Sequence, residues 1–347
     1  MKKETLILLW LVILPLISVA SPGQHENSHE LFPAAQNHKS GYIDQTGKIV
    51  IPFQFDDAGP FSEGRAPIML RRKWGFIDQT GKIVIKPQFE EAQIFSENRA
   101  AVKFEKAGRE VWGYIDVSGH VMIQPRYDEV HPFFEQRALV SVLEGEGEDR
   151  QAKYGYIDNH GKEITSLKFF SAGDFSEGLA NVGINGKWGY IDSMGKIIIN
   201  PQFNFADQFS EGLAVVEIGS LGSDQHGYID KTGKMVVPAQ FEDARNFSEG
   251  LAAVKVKNKW GYIDKNGRFV IQPQYSRAWD FREGLARVIR CNKDCMFQYI
   301  NKVDQIIIQF PFNDTGADDF KNGLATIVTN DGLCYINKSG TCIWESK

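Results

Sequence analysis

Two histidines near the amino terminus have the spacing of a zinc-peptidase motif. His25, Glu26 and His29 match the pattern H-E-x-x-H, in which two histidines one helical turn apart hold zinc and the glutamate acts as a base. That chemistry needs a helix packed on a core, whereas these residues lie in a polar stretch without an apolar stripe. The sequence therefore predicts no metal site here, and no cofactor elsewhere.

Acidic residues recur along the chain, but they are not clustered. A calcium ion takes six to eight oxygens, whereas each recurring aspartate has a basic residue four positions later. This spacing predicts aspartates that pair across a tight turn: Asp44 with Lys48, Asp78 with Lys82, Asp158 with Lys162, Asp192 with Lys196, Asp230 with Lys234, and Asp264 with Arg268. The acidic insertion 144–149 is a better ion candidate, although such a segment is typical of a solvated loop.

A second acidic series sits beside glycine in the pattern F-S-E-G. Its members are Glu63, Glu97, Glu177, Glu211, Glu249 and Glu283. One glutamate per repeated unit cannot form the close carboxylate pair of a glycosidase within that unit, so a turn role is predicted. The chain also contains no G-x-S-x-G element. We therefore expect a protein that is not an enzyme, with a hydrolase of an envelope polymer as the alternative.

The four cysteines are predicted to form disulfides. Cys291 and Cys295 would lie opposite each other if three residues close their hairpin, which is within bridging distance. Cys334 and Cys342 lie on one face of the last hairpin, in diagonal positions. Oxidised pairs are typical of exported proteins.

The amino terminus and the composition indicate export. Lys2 and Lys3 precede an apolar run that ends in Ser18-Val19-Ala20, which predicts a signal peptide at residues 1–20. The run is short for a membrane span of roughly 20 residues, so no span remains after cleavage. Residues 21–40 read as a polar linker. The formal net charge of −5 lacks the clustered Lys and Arg that nucleic-acid binding needs. A periplasmic or secreted protein is expected.

About nine copies of one unit occupy residues 41–347. The glycine of a W-G-Y-I-D element marks seven copies, and Gln298 and Cys334 take its place in the last two: Gly41, Gly75, Gly113, Gly155, Gly189, Gly227 and Gly261. From this glycine to the alanine of the next G-L-A element the spacing is constant in seven of eight cases, as from Gly75 to Ala100. All other length variation lies in the return connection. Its increments of four and eight residues predict a hairpin with long versions at 103–111, 142–153 and 217–226.

Aromatic residues at fixed offsets predict a core shared between neighbouring units. One ring per unit cannot bury itself against its own hairpins, whereas stacked units form a continuous core. Trp74, Trp112, Trp188 and Trp260 are predicted to be structural residues of this kind. The fold class is therefore all-β, a tandem array of antiparallel meanders. Because neither end supplies an obvious strand to close a ring, an open superhelical stack is favoured, with a ring like a β-propeller as the alternative.

The elements K-W-G-Y-I-D, G-K-I-V-I-x-P-Q-F and F-S-E-G-L-A-x-V resemble the WG-repeat family, also called KWG repeats, of bacterial proteins. The resemblance covers residues 41–347. It implies an all-β array in proteins that are often exported, and it carries no catalytic residues. Phe297 and Leu333 replace the tryptophan in the last two copies, which indicates a divergent carboxyl-terminal cap.

Function is expected in the variable hairpins, because insertions on one face of a repeat protein commonly mark its recognition side. We predict a scaffold that binds protein, peptide or cell-envelope glycan. The candidate contact residues are Lys103, Glu105, Lys106, Arg109, Glu144, Glu146, Glu148, Asp149, Arg150, Ser220, Ser223, Asp224 and Gln225. Tolerated length variation is the competing interpretation.

Overall fold

The chain forms nine small antiparallel sheets that lie in a ring, a nine-bladed β-propeller. The structure is a computed structural model and describes residues 30–145, 149–219, 225–311, 316–329 and 332–346. Within these ranges there are strands and turns but no α-helix, and no helix there is long and apolar enough to cross a membrane. The predicted all-β repeat array is confirmed.

Each blade is a short meander. Blades 1 to 3 contain β1 (Phe32–Gln36), β2 (Lys39–Ile43), β3 (Ile49–Phe55); β4 (Asp57–Ala58), β5 (Arg65–Leu70), β6 (Lys73–Asp78), β7 (Ile83–Phe89); and β8 (Glu91–Ser96), β9 (Arg99–Lys106), β10 (Arg109–Ile115), β11 (Val121–Tyr127). Blades 4 to 6 contain β12 (Glu129–Val130), β13 (Arg137–Glu144), β14 (Gln151–Asp158); β15 (Ser171–Ala172), β16 (Leu179–Ile184), β17 (Lys187–Asp192), β18 (Ile197–Phe203); and β19 (Phe205–Ala206), β20 (Leu213–Ile218), β21 (Gln225–Asp230), β22 (Met235–Phe241). Blades 7 to 9 contain β23 (Asp243–Ala244), β24 (Ala252–Val256), β25 (Lys259–Ile263), β26 (Phe269–Tyr275); β27 (Arg277–Arg282), β28 (Leu285–Cys291), β29 (Cys295–Ile300), β30 (Ile306–Pro311); and β31 (Leu324–Thr329), β32 (Gly332–Asn337), β33 (Cys342–Glu345).

We call the four strand positions of a blade a, b, c and d, in chain order. Blade 2 shows all four, as β4-β5-β6-β7. In the described residues, blade 1 has only b, c and d. Strand d of blade 4 is reduced to the bridges Tyr154 with Phe169 and Ile157 with Glu163. Strand a of blade 9 is reduced to a bridge between Ala317 and Ile327.

The predicted b–c hairpin is present in every blade. Its long versions pair in the expected register, with Lys103 opposite Trp112 in blade 3, Val142 opposite Lys153 in blade 4, and Glu217 opposite His226 in blade 6. Residues 146–148 and 220–224 of these hairpins lie outside the described residues.

The aspartate of the c–d turn lies opposite the basic residue, as predicted, since the Asp44 N–H donates to the Lys48 carbonyl at 2.9 Å. Its carboxylate, however, bonds the backbone of the turn and not the lysine ammonium, which corrects the predicted side-chain pair. The carboxylate of Asp44 accepts hydrogen bonds from the backbone N–H groups of Thr46 and Lys48, at 2.8 and 3.1 Å, and from the Thr46 hydroxyl. In the described residues no ion pair joins Asp44 to Lys48. A carboxylate that close to its own turn finds donors without ordering a long side chain. Gly47, at φ +82°, completes the turn.

Each unit packs one aromatic ring onto the next blade. At the eight junctions from blade 1 to blade 9, the tyrosine of strand c and the phenylalanine of the next F-S-E element have centroids 4.8–5.0 Å apart, with Phe76 in the tyrosine's place in blade 2. Tyr190, Tyr228 and Tyr262 are completely buried. Because each pair spans two blades, no blade has a complete core of its own.

The F-S-E-G element also joins neighbouring blades through polar contacts. The Ser210 hydroxyl donates to the Phe247 carbonyl of the next blade at 2.7 Å. The Glu211 carboxylate accepts the Gly250 N–H at 3.0 Å and lies 3.2 Å from the Lys265 ammonium, both in that next blade. Glu211 itself adopts φ +55° in the turn. The predicted turn role is therefore present, with an additional contact between blades that sequence reasoning missed.

The ring closes without exchanging a strand, so the favoured open stack is wrong and the alternative ring is confirmed. The Tyr335 hydroxyl of blade 9 donates to the Pro33 carbonyl of blade 1 at 2.7 Å, and the Tyr335 ring packs on Phe32. Gln45 donates to the Asn322 carbonyl at 3.0 Å. Closure thus uses the recurring tyrosine, whose hydroxyl here meets a carbonyl of strand b, because the described part of blade 1 has no strand a.

The folded part begins earlier in the chain than predicted. Residues 32–40, assigned above to the polar linker, form β1 and the start of β2. Their apolar members, Phe32 and Ala34, are buried against the last blade. The predicted signal peptide and the H-E-x-x-H residues lie outside the described residues.

Both predicted disulfides are formed. Cys291 and Cys295 are directly opposite in the b–c hairpin of blade 8, with Cα atoms 4.0 Å apart. Cys334 and Cys342 are bridged diagonally, with Cα atoms 6.0 Å apart. Cys342 faces Ile336 in the strand register, as the predicted diagonal placement requires.

Candidate functional site

The recurring tyrosine of strand c fixes the backbone of a position whose side chain changes from blade to blade. Its hydroxyl donates to a carbonyl just after strand a of the next blade, 2.6–2.8 Å away, in seven blades. This carbonyl usually belongs to the residue 17 positions after the tyrosine. Backbone geometry is thereby held constant while the side chain is free to differ.

We call this residue and the one after it the variable pair. Around the ring the pairs are Gly59-Pro60, Gln93-Ile94, His131-Pro132, Gly173-Asp174, Asp207-Gln208, Arg245-Asn246, Trp279-Asp280 and Asp318-Asp319. The first three are mostly uncharged or apolar. The last five contain five aspartates and one arginine. The two parts of the ring therefore present different chemistry on the same backbone.

The variable pairs lie beside the middle of strand b: the Gly59 N–H donates to the Pro67 carbonyl at 2.8 Å, and Ser62, two residues after Pro60, pairs with Arg65 at the a–b turn. The tryptophan position lies nearer the b–c turn. Asp57 of strand a pairs with Met69 of strand b, and Met69 also pairs with Trp74 of strand c. The b–c turn of this blade is at Arg71 and Arg72, only two residues before Trp74. We call this end of the blades the hairpin face, and the end with the a–b and c–d turns the turn face.

An apolar cleft of about 690 Å³ spans blades 2 to 4. Its walls are three variable pairs, two of the recurring tryptophans and neighbouring residues: Gly59, Pro60, Pro67, Trp74, Ala92, Gln93, Ile94, Trp112, Glu129, Val130, His131 and Pro132. The long hairpins of blades 3 and 4 belong to two of the three blades that form it. Trp112 is only 8 % exposed, and Trp74 is half-buried. The tryptophans therefore both pack in the blades and line the cleft.

His131, an ionisable side chain in the wall of the apolar cleft, is paired with a carboxylate of the next blade. Its Nδ1 lies 3.0 and 3.2 Å from the two carboxylate oxygens of Asp174 in blade 5. This hydrogen bond raises the pKa of His131 above its usual value, against the opposing effect of burial. The charged pair joins two blades at the edge of the cleft.

A polar cleft of about 350 Å³ spans blades 6 to 8. It is lined by Phe205, Asp207, His226, Asp243, Ala244, Arg245, Asn246, Trp260 and Asp280. His226 occupies the tryptophan position of blade 6, and blade 6 also carries the third long hairpin. Positions equivalent to those of the apolar cleft thus form a site of opposite character.

Aromatic rings and cations alternate beside the polar cleft. The Arg245 guanidinium lies 5.6 Å from the Trp260 ring and 5.9 Å from the Trp279 ring. The Arg287 guanidinium lies 4.8 Å from the Trp279 ring, and its Nε donates to Asp319 at 2.6 Å. Such contacts favour a cation over a tryptophan face and hold Arg245 between two blades.

Burial raises the pKa of Asp280, the second residue of its variable pair. Arg245 and Arg282 oppose this shift, whereas Asp319 and Asp207 add to it. One carboxylate oxygen of Asp280 is buried and has no hydrogen-bond partner. Asp280 is therefore an acid in a cleft whose ionised form is poorly compensated.

Among the predicted hairpin residues, Lys103 is held within its own sheet. Its ammonium pairs with Glu91 and Glu110 and lies 5.1 Å from the Trp112 ring. Arg109 pairs with Asp128. The other predicted contact residues in the described part are exposed: Glu105, Lys106, Glu144, Asp149, Arg150 and Gln225. Glu146, Glu148, Ser220, Ser223 and Asp224 lie outside the described residues.

Sequence reasoning missed the variable pairs, because it assigned the 25-residue constant segment to the core alone. The available signal was two positions between the recurring tyrosine and the F-S-E element that differ in charge and size in every copy. Across the described ranges, no group of three or more His, Cys, Asp or Glu residues could hold a metal ion.

A family model described as WG containing repeat matches the chain seven times, at residues 41–74, 74–106, 112–144, 154–188, 188–221, 227–260 and 260–290. These matches cover more than half of the chain. No curated protein matches it in sequence.

Solved structures resemble the fold at low sequence identity. The crystal structure of a eukaryotic initiation factor superposes with a TM-score of 0.62 at 10% identity, covering 90% of this chain and 95% of that one. Apo AztD from Citrobacter koseri has a TM-score of 0.45 at 11% identity, covering 82% and 95%. A study of two prolyl endopeptidases supplies a match with a TM-score of 0.46 at 10% identity, covering 74% and 48%. The likeness to the initiation factor shows a shared fold and nothing about function.

Proposed function

The chain belongs to the family of proteins built from WG containing repeats, and on that premise we propose that it is an exported, non-catalytic binding scaffold. Its partner is a protein, a peptide or a cell-envelope glycan that binds across the hairpin face. Two disulfides support an oxidising compartment outside the cytoplasm.

One observation carries the proposal: the three long hairpins belong to blades that form the two clefts. Blades 3 and 4 form the apolar cleft, and blade 6 forms the polar one. Hairpin length and the tryptophan position change along the hairpin face, and the variable pairs change along the walls of the two clefts, whereas the contacts of the turn face recur. Variation concentrated on one face of a rigid scaffold is typical of a recognition surface.

The apolar cleft offers the larger contact area for such a partner. Pro60, Pro132 and Ile94 provide an apolar lining, and Trp74 keeps part of its ring accessible. Aromatic anchors in a concave surface account for a large share of binding energy at interfaces. The exposed charges of the flanking hairpins, such as Glu105 and Lys106, then provide a polar rim.

The test is affinity capture from envelope extract with the full chain. The hairpins of blades 3 and 4 are shortened to the two-residue turn that blade 7 uses at Lys257 and Asn258. We expect capture to be lost or strongly reduced in this variant. Asp264→Asn, in the c–d turn of blade 7 on the turn face, serves as the matched control. Unchanged capture by a correctly folded variant of blades 3 and 4 would contradict the proposal.

A second candidate, a hydrolase of an envelope polymer, is favoured by Asp280 alone. Its pKa is raised by burial in the polar cleft, as a general acid requires. Turnover of an envelope polymer by the purified chain, abolished in Asp280→Asn, would support the hydrolase over the scaffold.

A further inference from the structure

We propose that the polar cleft of blades 6 to 8 binds a small organic cation, an ammonium or guanidinium group on an aliphatic chain. This inference does not depend on the proposed scaffold function. That function is tested at the hairpins beside the apolar cleft, whereas this inference concerns a small ligand in the polar cleft.

Unpartnered polar atoms are concentrated in the lining of this cleft. Asp280 Oδ1, Asn246 Oδ1, His226 Nδ1 and Arg245 Nε are buried and have no hydrogen-bond partner. A buried polar atom left in this state costs about 1–3 kcal/mol. Four such atoms belong to side chains that line one cavity, so the chain itself leaves this lining under-satisfied.

Three of these four atoms are acceptors. His226 Nε2 lies 3.4 Å from a carboxylate oxygen of Glu217, so a ring with one proton carries it on Nε2 and accepts at Nδ1. The Asp280 and Asn246 oxygens accept only, and Arg245 Nε is the single donor. The cavity therefore calls for a ligand with several N–H or O–H donors.

The charge of the lining selects an N–H donor that is positively charged. Asp207, Asp243 and Asp280 line the cleft, and Arg245 is the one permanently charged cation in that lining. Asp207 already accepts the Gln208 N–H, and Asp243 the Ala244 N–H, each at 2.8 Å, so each keeps a second oxygen for a ligand. A cationic ligand compensates this negative charge, whereas a neutral sugar leaves it uncompensated.

The walls suit an aliphatic chain. The Trp260 ring is 8 % exposed and Phe205 is 40 % exposed. Arg245 already lies over Trp260, which shows that cation and aromatic face are compatible in this site. A volume of about 350 Å³ accommodates one extended side chain or small amine. The described residues offer no cluster that could hold a metal ion in its place.

The test is isothermal titration of the full chain with 1,4-diaminobutane, with Nα-acetyl-lysine N-methylamide, and with the neutral 1,4-butanediol. We expect an amine to bind, the diol to give no heat, and Asp280→Asn to weaken amine binding at least tenfold. If only the diamine binds, the ligand of the polar cleft is a free amine. If only the lysine derivative binds, the ligand is a side chain of a peptide.

The matched control is Asp264→Asn, which removes a carboxylate from the turn face of blade 7. Asn301 naturally occupies the equivalent turn in blade 8 and accepts the same backbone N–H groups, so this substitution preserves the turn. Its affinity should equal that of the unmodified chain. If Asp280→Asn does not fold, Asp207→Asn takes its place in the same titration. Absence of heat with both amines, equal binding of the diol, or unchanged affinity in the cleft variant would overturn the proposal.

Discussion

The apolar and polar clefts are built on the same backbone and differ in a few side chains. Trp112 and Trp260 are each 8 % exposed and each lies beside a cation, Lys103 at 5.1 Å and Arg245 at 5.6 Å. The tyrosine and phenylalanine centroids between their blades are 4.9 Å apart in both regions. The repeat therefore determines the scaffold, and the variable pairs determine the chemistry of each cleft.

The two clefts also differ in how well their polar atoms are satisfied. In the apolar cleft His131 has Asp174 as a partner, and one atom, Gln93 Oε1, is buried without one. In the polar cleft four atoms lack partners. Uncompensated polar groups at one part of a regular scaffold are typical of a functional site, because they cost stability that packing elsewhere offsets.

The largest expected effect tests whether the two regions share one scaffold. Trp112→Ala and Trp260→Ala should each lower the free energy of unfolding by about 3–5 kcal/mol, because each removes an almost fully buried ring. Urea unfolding of the full chain measures both. Trp74→Ala, with a half-buried ring, should cost less. Costs that differ by more than about 2 kcal/mol between Trp112 and Trp260 would show that the regions are not equivalent.

A smaller effect tests the backbone that the two clefts share. Tyr114→Phe and Tyr228→Phe should each cost about 1 kcal/mol, since each removes one hydroxyl hydrogen bond to the carbonyl of a variable pair. Phe76 at the equivalent position of blade 2 shows that the ring alone packs there. Thermal unfolding gives the comparison. No loss in either variant would mean that this hydrogen bond does not fix the variable pairs.

A pH-dependent stabilisation by a charged pair is expected in the apolar cleft. The pKa of His131 is raised in the folded state by Asp174, so the charged pair stabilises the fold below the ordinary histidine pKa of about 6.5. That contribution is lost as the pH rises through the raised value. Asp174→Asn should therefore cost up to about 1 kcal/mol at pH 5.5 and less at pH 9. The control Asp78→Asn, in a c–d turn, should show the same cost at both pH values.

The smallest effect is expected in the polar cleft and has the opposite sign. Because burial raises the pKa of Asp280, its ionised form destabilises the fold above that pKa, and the penalty disappears as the pH falls through it. Asp280→Asn should therefore stabilise the unliganded chain at pH 7, by less than about 1 kcal/mol. The gain should shrink towards low pH in paired denaturation curves. A loss of stability at pH 7 would mean that the carboxylate is compensated within the cleft.

Much of the fold could be predicted from the sequence because it depends on local register. The b–c hairpin of blade 6, with Glu217 opposite His226, follows from loop lengths that change in whole multiples of four. The cross-strand placement of Cys291 and Cys295 follows from the same reasoning. The bonding of Asp44 did not follow, because strand register places Lys48 nearby without showing that backbone N–H groups of the turn lie closer.

The sequence by itself determined the repeating unit, its hairpins, its shared aromatic core and its disulfides, since each involves residues of one unit or its neighbour. Only the tertiary structure decided that the array closes, because Tyr335 and Pro33 meet across 302 positions and the tyrosine that joins them also occurs at the inner junctions. It also decided that variable pairs from neighbouring blades form two clefts. Each pair is too short to show a pattern alone, and its chemistry depends on which pairs lie beside it in the ring.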